Sequence, residues 1–208
     1  MIAIIDYNAG NLTSVKRAMD YLGKDSVVTD DFSKIIKADR IIFPGVGAAG
    51  RAMADLKKRR LDQAIIEAFN NKAPILGICL GTQIIMERSE ENNTKCLGII
   101  KGRVAMFNSE AYGFKVPHMG WNSVRIKRKH PLFKGVDSGS EFYFVHSYYP
   151  VPAEPDKVLG ETDYIARFAS VLAYGNLTAM QFHPEKSGAP GLEILANFCE
   201  WDGVDYAE

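Results

Sequence analysis

The chain has 208 residues, 47% of them hydrophobic and 24% charged, and its 25 basic and 25 acidic side chains cancel to zero. That length suits one domain with a core that needs no crosslink, and zero net charge excludes the uncompensated basic surface of broad nucleic-acid or membrane-surface binding. Three cysteines, Cys79, Cys96 and Cys199, are widely spaced without a CxxC pair, which excludes a disulfide framework or a zinc site and points to reduced thiols in the cytoplasm.

Residues 2–6 read as a buried strand, being short, apolar and branched. They lack the positive flank and cleavage site of a signal peptide, and no apolar run reaches the ~18 residues of a membrane span. A helix follows, capped by Asn11 or Thr13, carrying Val15, Ala18, Met19 and Leu22 at helical spacing and stopped by Gly23. Residues 26–30 and 39–43 are the next two strands, the latter halted by Pro44-Gly45. One long amphipathic helix is expected over 50–69, a fourth strand over 74–79, and a helix over 80–88. Alternating helices and fully apolar strands predict a parallel sheet covered on both faces.

The second half changes character. Segments 98–107, 121–126, 141–149, 158–161, 167–173 and 178–182 are strand-like and closely spaced, which predicts antiparallel strands attached to the parallel core. A last helix over 191–200 is expected to bury Leu192, Leu195, Ala196 and Cys199. There is no repeat or linker, so residues 1–208 read as one α/β domain. The basic runs 57–60 and 125–129 read as solvated surface.

The fourth strand ends in Gly77-Ile78-Cys79-Leu80-Gly81, with a helix at once after it. This is the nucleophile elbow with cysteine in place of serine. A nucleophile on such a turn stands clear of the sheet, flanking glycines avoid neighbouring strands, and the helix N-terminus favours thiolate and oxyanion. A hundred residues on stands Gln181-Phe182-His183-Pro184-Glu185. In extended chain His183 and Glu185 share a face, so His183 can take the thiol proton and Glu185 can orient the imidazole. Pro44-Gly45-Val46-Gly47 ends the third strand, and if that loop faces the elbow, Val46 or Gly47 could join the Leu80 N–H in binding an oxyanion. His118, His130 and His146 lack a comparable acidic partner, and His130, beside a proline in a charged loop, is expected to face solvent. No ligand-spaced cluster predicts a metal, and no phosphate-binding glycine motif is present, so no cofactor is expected.

In this order, the PGVG loop at 44–47, GICLGTQ at 77–83 and QFHPEKS at 181–187 resemble the class I glutamine amidotransferases. DYNAGNL at 6–12, PHMGWN at 117–122 and FVHSYY at 144–149 are similar to glutaminase subunits of imidazole glycerol phosphate synthases. The resemblance implies a flavodoxin-like sheet and a Cys79, His183, Glu185 triad acting on glutamine. It implies substrate contacts at Gln83, Glu91, His146, Ser147 and Tyr148. It also implies a heterodimer with a (β/α)₈ cyclase that consumes the ammonia, docked near Asn11, Pro117, His118, Met119, Trp121 and Asn122. Asn8, Ala49, Arg51 and Thr82 depart from residues common in the family. A class I glutaminase serving another synthase, such as one that amidates a sugar, and a non-catalytic binding module on the same scaffold are the alternatives.

Overall fold

The computed structural model describes residues 1–8, 11–108, 110 and 113–205. In chain order the elements are β1 (Ile2–Ile5), α1 (Leu12–Tyr21), β2 (Ser26–Thr29), α2 (Phe32–Ile36), β3 (Arg40–Gly45), α3 (Ala49–Lys58), α4 (Leu61–Asn70), β4 (Ile75–Cys79) and α5 (Leu80–Ile84). The second half contains β5 (Met86–Ser89), β6 (Thr94–Lys95), β7 (Ile100–Met106), β8 (His118–Ser123), β9 (Arg125–Ile126), β10 (Glu141–His146), β11 (Tyr148–Pro152), β12 (Val158–Asp163), β13 (Arg167–Tyr174), β14 (Leu177–Met180) and α6 (Gly188–Glu200).

The main sheet has the order β2-β1-β3-β4-β14-β13-β12-β9. Its first five strands are parallel and the last three antiparallel. Because the central strands are apolar at every position, alternate side chains feed two cores. Ala3, Ile5, Ile41, Phe43 and Ile75 pack with α3 and α4 on one face. Ile2, Ile4, Ile42, Leu76 and Ile78 pack with α1 and α6 on the other. The doubly covered, mostly parallel sheet with an antiparallel extension is as expected from the sequence.

Four local expectations need correction. The helix over 50–69 is two helices, because Arg60 adopts a left-handed conformation (φ 60°, ψ 20°). In a continuous helix Leu56 and Leu61 would lie about 140° apart, whereas the break lets both be fully buried. The helix over 80–88 stops at Ile84, since the N–H groups of Leu97, Ile99 and Gly98 take the carbonyls of Ile84, Ile85 and Met86. Those acceptors are lost to a helix, and Met86–Ser89 joins β7 instead. Strand β3 runs through Pro44 and Gly45, which pair with Ile78 and Cys79 of β4. The strand over 141–149 is divided at Ser147, with β10 pairing β8 and β11 pairing β7.

Smaller differences follow the same logic. Segment 121–126 is split at buried Val124 between two sheets. Asn11 sits at the start of α1 but makes no side-chain cap bond. The short helix α2 was not anticipated; five residues carry no periodicity, and Asp31, which accepts from Ser33 and Lys34 N–H, is its signal. Helix α6 buries Ile194, Leu195 and Phe198, while Leu192, Ala196 and Cys199 are half-buried.

Candidate active site

Strand β4 delivers Cys79 at the carboxyl end of the parallel sheet, where open α/β sheets hold ligands. Its backbone is strained (φ 54°, ψ −107°), the conformation of a sharp strand-to-helix turn. The turn needs its glycines: a Cβ on Gly81 would run into the Phe43 carbonyl of the adjacent strand. Leu80 opens α5, so its N–H is among the first-turn donors that have no acceptor within the helix.

Strand β14 ends beside β4, and the chain beyond it carries His183 and Glu185. His183 Nδ1 lies 2.8 Å from Glu185 Oε1, and both side chains are almost fully buried. Nδ1 donates to the carboxylate, which fixes Nε2 as the atom free for proton exchange. Among the described residues Nε2 has no hydrogen-bond partner, and the Cys79 thiol is near enough to act on the charge of the ring. Burial pushes this imidazole down, but the pull of Cys79 and Glu185 on its protons, with their negative charge, prevails and raises it to about 10. The structure thus brings the three residues singled out in the sequence into one cluster.

A cavity of about 360 Å³ opens on the thiol, lined by Val46, Gly47, Cys79, Leu80, Gln83, Glu91, Pro117 and residues 145–148. That volume is within the range of small-molecule sites. A larger open groove lined by Glu87, Arg88 and Arg103 includes none of Cys79, His183 and Glu185. Gln83 Nε2 donates to the Tyr148 carbonyl (3.0 Å) and to Gln181 Oε1 (3.2 Å). Both its N–H groups are therefore spent within the protein, and its Oε1 is what remains for a ligand. Glu91 accepts from Ala49 N–H at the start of α3 (2.6 Å). His146 is buried with its Nδ1 on the Tyr148 carbonyl. Met119 and Trp121 are exposed, 63% and 55%; Pro117 is exposed and Asn11 and Asn122 half-buried.

Two histidines depart from expectation. His118, expected at a partner surface, is 3% exposed and stacked between Phe144 and Tyr164. His130, expected in solvent, is buried; its Nδ1 accepts the Leu132 N–H and its ring packs on Trp201. Capping the 131–133 turn requires it to fold inward.

Two residues not singled out in the sequence border the nucleophile. Gln181 Nε2 reaches Cys79 Sγ at 3.8 Å. Tyr7 is fully buried, its hydroxyl without a hydrogen-bond partner among the described residues, and its phenol is raised by burial and by Cys79's charge. Only the spatial neighbourhood of Cys79 reveals either.

Residues 3–201 match the family model for glutamine amidotransferase class-I. The imidazole glycerol phosphate synthase subunit HisH of Maridesulfovibrio salexigens is 48% identical over 97% of both chains. Its counterpart from Nitrosococcus oceani is also 48% identical, over 98% of both. Among solved structures, PurLQS from Thermotoga maritima superposes with a TM-score of 0.74 at 18% identity, covering 96% of this chain and 97% of that one. The Trypanosoma brucei CTPS glutaminase domain gives 0.66 at 17%, covering 99% and 95%. The chain belongs to the class-I glutamine amidotransferase family, among the imidazole glycerol phosphate synthase HisH subunits.

Proposed function

We propose that this chain is a glutaminase subunit that hydrolyses glutamine to glutamate and ammonia and passes the ammonia to a cyclase making imidazole glycerol phosphate in histidine biosynthesis. The observation that carries this reading is a buried His183–Glu185 pair beside Cys79, whose thiol lines a small-molecule cavity, in a chain of this family. Cys79 Sγ attacks the side-chain amide carbon of glutamine, and His183 Nε2 holds the thiol proton. Leu80 N–H, with Val46 or Gly47, stabilises the oxyanion. The C–N bond breaks as His183 protonates the leaving nitrogen, leaving a glutamyl thioester and free ammonia. His183 then takes a proton from water, which attacks the thioester and releases glutamate and the thiol.

Gln83, Glu91, His146, Ser147 and Tyr148 form the wall against which the amino-acid end of glutamine rests. Ammonia in bulk water is mostly protonated and no longer a nucleophile, so the cavity has to open onto a second site closed to solvent. Pro117, on the cavity rim, leads directly into strand β8 with exposed Met119 and Trp121. That face, with Asn11, is the docking surface for a (β/α)₈ cyclase in a heterodimer, and His118 and Asn122, on the opposite face of β8, back it. The expected compartment is the cytoplasm; among the described residues no helix is long and apolar enough to cross a membrane. Turning the Gly45–Val46 peptide is the proposed switch that presents or withdraws one oxyanion donor, worth about 10²–10³ in rate.

The test is glutamate release by the purified chain alone and mixed with the cyclase subunit of an imidazole glycerol phosphate synthase and its acceptor, together with mass spectrometry after an electrophilic glutamine analogue. A glutamyl-sized adduct on Cys79 and stimulation by the cyclase are expected. An adduct elsewhere, or a cyclase without effect, defeats the proposal.

A further inference from the structure

We propose that His118 is a positioning residue: with His146 it forms a one-way hydrogen-bond chain from Asn122 on strand β8 to the Tyr148 carbonyl, holding the wall of the glutamine pocket. Every direction in that chain is fixed by its neighbours. Asn122 Oδ1 accepts the Ser123 N–H (2.8 Å), and Asn122 Nδ2 donates to the Asp163 carbonyl (2.9 Å), so the amide cannot be turned over. Its second N–H meets His118 Nε2 (3.3 Å), which must accept. His118 therefore carries its proton on Nδ1 and donates to His146 Nε2 (3.0 Å).

The other end gives the same answer independently. A carbonyl only accepts, so His146 Nδ1, 2.8 Å from Tyr148 O, is the protonated nitrogen. His146 Nε2 must then be the acceptor, as the Asn122 end requires. Burial pushes His118 down to about 4 and His146 down to about 3, so both rings are neutral at pH 7 and each holds a single proton, on Nδ1.

The chain ends on a carbonyl that also takes the Gln83 amide. Gln83 in turn grips Gln181, and Gln181 Nε2 reaches Cys79 Sγ. The Tyr148 carbonyl is thus the meeting point of two strings of donors, one from β8 and one attached to the nucleophile. On β8, His118 and Asn122 lie on one face, while Met119 and Trp121 project from the other. A partner seated on Met119 and Trp121 holds the same strand that starts the chain. Losing the His118 donor leaves His146 Nε2 buried and unpaired, and frees its ring to turn away from Tyr148.

The first test uses the intact wild-type chain with ¹⁵N-labelled histidine at pH 7.5, with resonances assigned by the spectrum of a His118→Asn variant. Nδ1-protonated neutral rings are expected at both 118 and 146; an Nε2-protonated or charged ring at either position overturns the proposal. The second rests on the glutaminase reading and uses the complex with the cyclase. His118→Phe keeps the stacked ring but not the donor, and is expected to lower kcat/KM for glutamine about ten-fold. His118→Asn, whose amide N–H stands where Nδ1–H stood, is expected to regain most of that loss. Equal activity of the two variants overturns the role of the chain. If the wild-type complex hydrolyses no glutamine, the glutaminase reading fails, while the tautomer measurement still decides the chain.

Discussion

His183 Nδ1 and Glu185 Oε1 meet at 2.8 Å across a single proline, with 2% and 1% of their side chains exposed. Pro184 begins a short turn, so the strand ends and both side chains are directed to the sheet rim. The imidazole, buried yet raised to about 10 by Cys79 and Glu185, stays positively charged through neutral pH. Its stabilising effect is fully present below the ordinary value of about 6.5 and is lost as pH rises through about 10. Anionic iodoacetate should therefore alkylate Cys79 faster, relative to neutral iodoacetamide, at every pH up to about 9, with the preference lost near 10. Cys79→Ala supplies the background from Cys96, raised by burial to about 11, and Cys199, also raised by burial. A preference that disappears near pH 6.5 would show that the imidazole is not held in its charged form.

Cys79→Ala removes the nucleophile but leaves the fold, because the thiol's hydrogen bonds to Val145 O and Gln181 Nε2 are long and its influence on His183 is on charge rather than packing. Glutamine hydrolysis should fall by at least about 10⁴-fold, the scale seen when a nucleophile is removed from a triad. Synthesis by the complex supplied with ammonium should remain near the wild-type rate. Loss of both activities would mean that Cys79 does more than make ammonia.

The fold was legible where chemistry is local. Apolar strands, the elbow at 77–81 and the paired side chains at 183 and 185 each carry their signal in a few neighbouring residues. What was not legible depends on distant partners. The early stop of α5 is caused by residues 97–99 taking its carbonyls, and nothing in 80–88 announces that competition. His118 was expected at a partner surface and His130 stands in a charged stretch, yet both are buried, one by rings from Phe144 and Tyr164 and one by a cap and Trp201. Gln181 and Tyr7 matter only because β14 and β1 end near β4 in space.

Three buried neutral histidines make the fold acid-sensitive. Burial lowers His118 and His130 to about 4 and His146 to about 3. Their folded values lie below the unfolded value of about 6.5, so the unfolded chain binds more protons and stability falls as pH drops from 6.5 toward 4. His183 works in the opposite sense and loses nothing in that window. The urea midpoint should be highest near pH 6.5–7, slip above it as the His183 contribution starts to be lost, and decline below it by about 2 kcal/mol for each of the three rings by pH 5. In His130→Gln the decline should be shallower. A midpoint constant down to pH 4.5 would mean that these rings take up protons without unfolding.

Gly45 stands opposite Cys79 in the β3–β4 register, next to the peptide proposed to switch the oxyanion hole. Replacing it is the direct way to arrest that peptide, but a Cβ there would collide with the Tyr7 hydroxyl and approach Leu80 Cβ to 2.9 Å. Gly45→Ala should therefore cost about 1–3 kcal/mol by overpacking alone. Tyr7→Phe should be close to neutral, because the hydroxyl it removes is buried and has no partner among the described residues. In the double variant the worst collision is gone and the Leu80 approach remains, so the combined loss should be smaller than the sum, a coupling visible in a double-mutant cycle. That pair separates two effects that the single variant mixes. If acceptor-stimulated glutamine hydrolysis is lost in Gly45→Ala and stays lost in the less strained double variant, the peptide itself is responsible. If it returns with stability, Gly45 serves packing and the switch lies elsewhere.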